Sequence, residues 1–231
     1  GLGIVPTPST SVQLAIGDAL AVAALNKKKF SKYDFSKLHP GGNLGNISAM
    51  GRGFEMLKEL GLIKKYPRLV CAQAEQAAPL YRSFKTGFKK FEAVKAKQTL
   101  ASAIQIGDPV SIKKAIKTLQ TFDGIVEEAT ESELANAVGR ANLTGLFCCP
   151  HTGVALAVLE KLVKQGEISK TDRVVVVSTA NGLKFTDFLH KYHTDQLEGI
   201  SSQFAYSPIN LPADYEKIKE TVLNNVDQRT I

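Results

Sequence analysis

The chain has 231 residues, 44% of them hydrophobic and 22% charged, with 18 glycines, 9 prolines and a formal net charge of +7. That is ordinary globular composition, long enough for a sizeable buried core, and it excludes a disordered or fibrous chain. The basic residues are scattered, and the one run of three, Lys27-Lys28-Lys29, reads as a solvated helix end rather than a nucleic-acid patch.

The surplus positive charge suits small anions, so the expected partner is a small-molecule phosphate ester, with no nucleic acid and no membrane. Cys71, Cys148 and Cys149 make an odd count, and adjacent cysteines rarely bridge, so all three read as reduced thiols of a cytoplasmic protein. No apolar stretch reaches membrane-spanning length. The N-terminal Gly1-Leu2-Gly3-Ile4-Val5-Pro6 lacks both the basic lead of a signal peptide and an initiating methionine, which suggests an incomplete chain.

In chain order, Thr7-Pro8-Ser9-Thr10-Ser11 supplies cap hydroxyls for an apolar helix over 12–25, and a short helical turn over 34–38 ends at His39-Pro40. Pro40-Gly41-Gly42-Asn43-Leu44-Gly45-Asn46 then reads as a glycine loop leading into a helix over 47–60. Such a loop lets backbone N–H groups converge on an anion at a helix start, although short glycine motifs are equally plain turns. A buried strand over 68–72, a helix over 76–87 and a loop over 102–109 follow. Next come a helix over 110–119, a strand over 124–127 and a helix over 131–141.

Residues 145–148 read as a strand end, 152–165 as an amphipathic helix, and Arg173-Val174-Val175-Val176-Val177-Ser178 as the strongest strand pattern in the chain. A Pro-punctuated linker and a helix over 214–222 close the sequence. Continuous β-branched runs between helices predict an α/β fold, with a parallel sheet buried between helices on both faces.

The candidate polar groups divide on simple grounds. Thr179 stands at the C-terminal end of a predicted strand, where open α/β sheets place ligands, but it is also an ordinary strand-end hydroxyl. His151 suits a helix cap ahead of Thr152 better than a ligand contact. His190 and His193 share a helix face but lack a third metal ligand, so they read as solvated. Glu127 and Glu128 read as an exposed pair, and Cys148 and Cys149, with no base in view, as buried thiols rather than nucleophiles.

Several blocks taken together resemble plant-like threonine synthase, from about Pro40 to His193. They are Gly41–Asn46, Leu69–Ala74, Ala101–Pro109, Gly124–Thr130, Cys149-Pro150-His151-Thr152-Gly153 and Val177–Ala180. The resemblance implies the pyridoxal-phosphate fold of the tryptophan-synthase-β type (fold type II). It implies conversion of O-phosphohomoserine and water to threonine and phosphate. Carried over by motif, Gly41, Gly42, Asn43, Leu44, Gly45 and Asn46 would hold the cofactor phosphate, Ala103 would lie near the ring, and Thr179 would meet the pyridine nitrogen. A neutral hydroxyl there is expected to keep the pyridine unprotonated. Asn181 stands where that family usually has histidine, which removes a titratable group.

The family's Schiff-base lysine lies upstream of the glycine loop, and none of Lys27, Lys28, Lys29, Lys32 or Lys37 has its Phe-Lys-Asp context. The expectation is a chain that makes no threonine by itself.

Residues 1–45 resemble instead the C-terminal end of the sugar-isomerase (SIS) domain of arabinose-5-phosphate isomerases, through Pro8–Ser11, Gly17–Ala23 and His39-Pro40-Gly41-Gly42. That resemblance implies a helical SIS-derived segment over 1–45 ahead of a cofactor-binding portion over 41–231, with His39 as its candidate acid or base. An isomerase fragment and a non-catalytic fusion remnant therefore stand as alternatives, and homo-oligomerisation remains open.

Overall fold

A computed structural model describes residues 42–227, and the expected helices over 12–25 and 34–38, with His39 and Gly41, lie outside them. The glycine segment is not a loop ahead of a helix but the first turn of one: α1 runs Gly42–Glu59. The reason is packing. Leu44 and Ile47, three residues apart and each 2% exposed, continue the apolar face of Met50 and Phe54 into the core, so the helix must already exist at Leu44.

Among the described residues two strands form a sheet. β1 (Val70–Ala74) and β2 (Ile125–Ala129) pair in parallel, with Val70 opposite Ile125 and Ala74 opposite Ala129. Alternation sends their side chains to opposite faces. Cys71 and Val126 face Leu44, Ile47 and Leu80, together with Ala115 and Leu119 of α3 (Ile112–Thr121). Ala74, Ile125 and Ala129 face Val154, Ala157, Val158 and Leu162 of α5 (Pro150–Lys164). Helices thus cover both faces of a parallel pair, the α/β arrangement expected from the sequence.

The connections follow local rules. A 3-10 turn, Glu75–Ala77, leads to the short α2 (Pro79–Lys85), which starts on proline at a position where no N–H is needed. The buried Gln73 fixes that entry, its Oε1 accepting from the Tyr81 N–H at 2.9 Å. α4 (Glu131–Leu143) opens on a capping box in which Thr130 Oγ1 accepts from the Glu133 N–H at 3.2 Å and Glu133 Oε2 from the Thr130 N–H at 2.8 Å. α4 and α5 pack closely because Gly153 has no side chain: a Cβ there would stand 2.5 Å from the Leu134 carbonyl oxygen.

A third cluster joins Ala135, Val138 and Ala141 of α4 to Phe188, Leu189 and Tyr192 of α6 (Thr186–His193). The last helix, α7, runs Tyr215–Asp227 and its described side chains are almost all exposed.

The valine run departs from expectation. Residues 173–179 form no strand, and Val175 is 89% exposed. A strand is made by its neighbour, and among the described residues none pairs with this segment. Its one anchor to regular pairing comes afterwards, where Asn181 forms an antiparallel bridge with Cys148 and the Gly182 N–H donates to the Phe147 carbonyl at 3.0 Å. No helix among the described residues is long and apolar enough to cross a membrane.

Candidate active site

The Cys148–Asn181 bridge lays residues 178–181 beside the start of α5. Cys149 is the N-cap of that helix: its sulfur accepts from the Thr152 N–H at 3.5 Å and lies 3.3 Å from Thr152 Oγ1. Thr179 Oγ1 stands 3.8 Å from the same sulfur, and Ser178 Oγ 3.3 Å from Thr152 Oγ1. Cys149 and Thr152 are buried, whereas Ser178 and Thr179 are exposed above them.

The other wall is the 3-10 turn Ser102–Ile104, which packs against both α1 and α5. The exposed Ala103 donates its N–H to His151 Nε2 at 2.9 Å. An imidazole that accepts at Nε2 carries its neutral-state proton on Nδ1. The ring is steadied edge-on by Phe185, centroids 5.2 Å apart. Ala103 and Thr179, about 75 positions apart in sequence, therefore both contact the start of α5, through His151 and Cys149 respectively.

Electrostatics follow from these contacts. Burial pushes the Cys149 thiol up, but hydrogen bonds from His151, from the hydroxyl and N–H of Thr152 and from Thr179 outweigh it and bring it down to about 6. Its neighbours behave oppositely: burial takes Cys71 up to about 12, and burial with the adjacent Cys149 charge takes Cys148 up to about 11.

Among the sequence-selected phosphate residues, Gly42, Asn43, Leu44 and Gly45 form the first turn of α1. The first four N–H groups of a helix have no intrahelical acceptor, and this turn holds no acidic residue. The Leu44 side chain points into the core, so only its backbone is free for a ligand, and Asn46 is exposed. Gly45 is half-buried, yet a Cβ added to it would meet nothing within 4 Å, so packing gives no reason for glycine there.

Four expectations need correcting. The cap of α5 is Cys149, not His151, whose ring instead accepts the Ala103 N–H. Cys149 does have an imidazole in view. Glu127 is buried rather than exposed: its Oε1 takes the Glu128 N–H and its Oε2 the Gln165 amide. His193 is likewise buried, stacked 3.8 Å from Tyr206, its Nδ1 accepting that residue's N–H. Among the described residues no group of three or more His, Cys, Asp or Glu is placed to hold a metal.

A cleft of about 530 Å³ is lined by Arg68, Tyr81, Lys85 and Glu127 with Leu162 and Gln165. It lies at the opposite end of α5, a helix about 22 Å long.

Residues 31–180 match the family of pyridoxal-phosphate dependent enzymes, and the chain belongs to that family. The match starts ahead of Pro40. The chain is 53% identical over 184 residues to threonine synthase 2, chloroplastic, of Arabidopsis thaliana, covering 79% of this chain and 36% of that protein. It is 35% identical over 149 residues to the threonine synthase of Methanocaldococcus jannaschii (64% of this chain, 37% of the relative). Against the Mycobacterium tuberculosis threonine synthase it is 36% identical over 149 residues (64% and 39%). The chain thus spans somewhat over a third of the length of the curated relatives it matches.

Proposed function

We propose that this chain supplies the cofactor-holding part of a threonine-synthase site, acting in conversion of O-phosphohomoserine and water to threonine and phosphate. The observation that carries the reading is that Ala103 bonds His151 and Thr179 lies against Cys149, so both residues that the resemblance selects contact the start of α5. When bound, pyridoxal phosphate supplies an electron sink for charge developing on an amino-acid substrate.

Each of the chain's own groups has a simple task in this reading. The N–H groups of Gly42 to Gly45, with the partial positive charge of the α1 start, hold a phosphate. Ala103, with its small side chain, leaves room for a flat ring. The Thr179 hydroxyl faces the ring nitrogen. The +7 net charge draws in both phosphorylated partners. Three reduced cysteines fit a reducing compartment, either the cytoplasm or, following the Arabidopsis relative, a plastid.

Nothing among the described residues favours the sugar-phosphate isomerase alternative, whose candidate base His39 lies outside them. Thermal unfolding of the full chain with and without pyridoxal phosphate tests the proposal. Stabilisation of about 1 kcal/mol or more at saturating cofactor is expected. No shift would overturn it.

A further inference from the structure

We propose that His193 is a pH-sensitive latch for the C-terminal tail: its neutral ring holds the chain at Tyr206, and a proton on Nδ1 frees the residues that follow. The latch is independent of the cofactor reading, since its groups lie on α4, on α6 and at Tyr206.

The tail hangs from one short stretch of backbone. The Asn136 amide donates to the Ser201 carbonyl at 3.2 Å and accepts the Gln203 N–H at 3.0 Å. Asp195 Oδ1 takes the Ser202 N–H and the Tyr192 hydroxyl the Phe204 N–H, both at 3.2 Å. The last of these ties is at Tyr206, whose N–H donates to His193 Nδ1 at 3.3 Å. Beyond it, among the described residues, the hydrogen bonds and ion pairs of 207–227 join only residues of that same stretch. One imidazole nitrogen therefore decides whether everything after residue 205 stays against the body.

The ring is committed to its neutral form. His193 ends α6 and is buried, stacked 3.8 Å from the Tyr206 ring and edge-on to Tyr192 at 5.1 Å. Because Nδ1 accepts, the single proton of the neutral imidazole sits on Nε2. Nε2 lies 3.3 Å from the Asn142 amide nitrogen, and half a turn of that amide brings in Oδ1, buried without another partner, to accept the proton.

A second proton has to go on Nδ1, where it meets the Tyr206 N–H donor to donor. A buried hydrogen bond is lost and two donors stand opposed, which outweighs the attraction of a charged ring for the half-exposed Tyr206 face. Burial acts in the same direction, holding the imidazole below its ordinary value. No charge compensates. Asp187, His190 and Lys191 of α6 are exposed, as are Asp195 and Glu198 after it, and Arg140 of α4 stands over the Phe204 ring and pairs with Glu160. The freed segment binds the proton more tightly, so the latch is complete above the ordinary histidine value near 6.5 and is lost as pH falls below it.

The test is amide hydrogen exchange of the full chain between about pH 8 and about pH 5, each rate divided by its intrinsic value, with the His193 ring proton followed by NMR. Protection of the Tyr206 amide should fall by about tenfold across that window while the amides of β1 and β2 hold theirs. The ring should titrate below the ordinary value. His193→Asn, whose Oδ1 takes the place of Nδ1 as an acceptor that does not titrate, should keep Tyr206 protected throughout. His193→Phe, which keeps a ring but no acceptor, should leave it unprotected at both ends. Asp195→Asn should retain the step, since the carboxylate is not the group being read.

Tyr206 protection that stays level across the window would overturn the latch, as would a step that survives His193→Asn. Loss of protection shared by β1 and β2 would show acid unfolding of the whole chain instead. A His193 midpoint at or above about 6.5 would equally count against it, because the docked tail would then tolerate the charged ring.

Discussion

Tyr192 shows how much a single hydroxyl organises here. Fully buried, it donates to Asn136 Oδ1 at 2.8 Å and accepts the Phe204 N–H at 3.2 Å, tying α4 and α6 to the segment leading to α7. Tyr192→Phe keeps the ring and strands the Phe204 N–H, so it should cost about 1–2 kcal/mol in urea denaturation. Cys149 makes the pH-dependent counterpart. Its folded-state value of about 6 lies below the ordinary thiol value near 8.5, so the unfolded chain holds that proton more tightly. The contribution to stability is complete above about 8.5 and is lost as pH falls through about 6. Compared with Cys149→Ala, wild type should gain stability steadily across that window, and a constant difference between the two would count against an ionised cap. From sequence Cys149 looked inert, because what activates it is a histidine turned back by a backbone N–H 46 positions upstream of the cysteine. The local signal was there in Cys149-Pro150-His151-Thr152: a cysteine followed by a proline at the first helical position is a cap.

At the level of elements, two glycines in helices should respond with opposite signs. Gly153 sits where α5 crosses α4, and a Cβ would stand 2.5 Å from the Leu134 carbonyl and 2.6 Å from Val138 Cγ2. A backbone oxygen cannot swing aside, so Gly153→Ala should destabilise by about 1–3 kcal/mol. Gly45 has open space, and alanine is the better helix former, so Gly45→Ala should stabilise the cofactor-free chain by about 0.5–1 kcal/mol. The same substitution should weaken the thermal stabilisation given by pyridoxal phosphate, because a methyl group would occupy the space left for the phosphate. Unchanged cofactor binding in Gly45→Ala would remove α1 from the site. Helices were the legible elements, since apolar periodicity marked α1, α3, α4 and α5 to within a few residues. The start of α1 was misjudged because glycines read as a loop, whereas Leu44 has to be helical to reach the core.

For the molecule as a whole, the sequence conveyed the α/β class and the parallel pairing, but not which strands would find partners. The valine run had the strongest strand pattern yet forms no strand and is largely exposed, while the shorter β1 and β2 pair because α1, α3 and α5 cover both their faces. Branched residues state a preference for a pleated neighbour and cannot provide one. Val174, Val175 and Val177 are 46%, 89% and 55% exposed on a stretch that pairs with no strand among the described residues, a template for contact between chains. Val175→Lys should leave unfolding free energy within about 0.5 kcal/mol of wild type, since that side chain touches little. It should nevertheless lower light scattering at high protein concentration, because a lysine in the middle of the run opposes edge-to-edge pairing. Equal scattering by the two proteins would show that copies of this chain do not meet through the valine segment, and a large loss of stability would show that Val175 is packed rather than exposed.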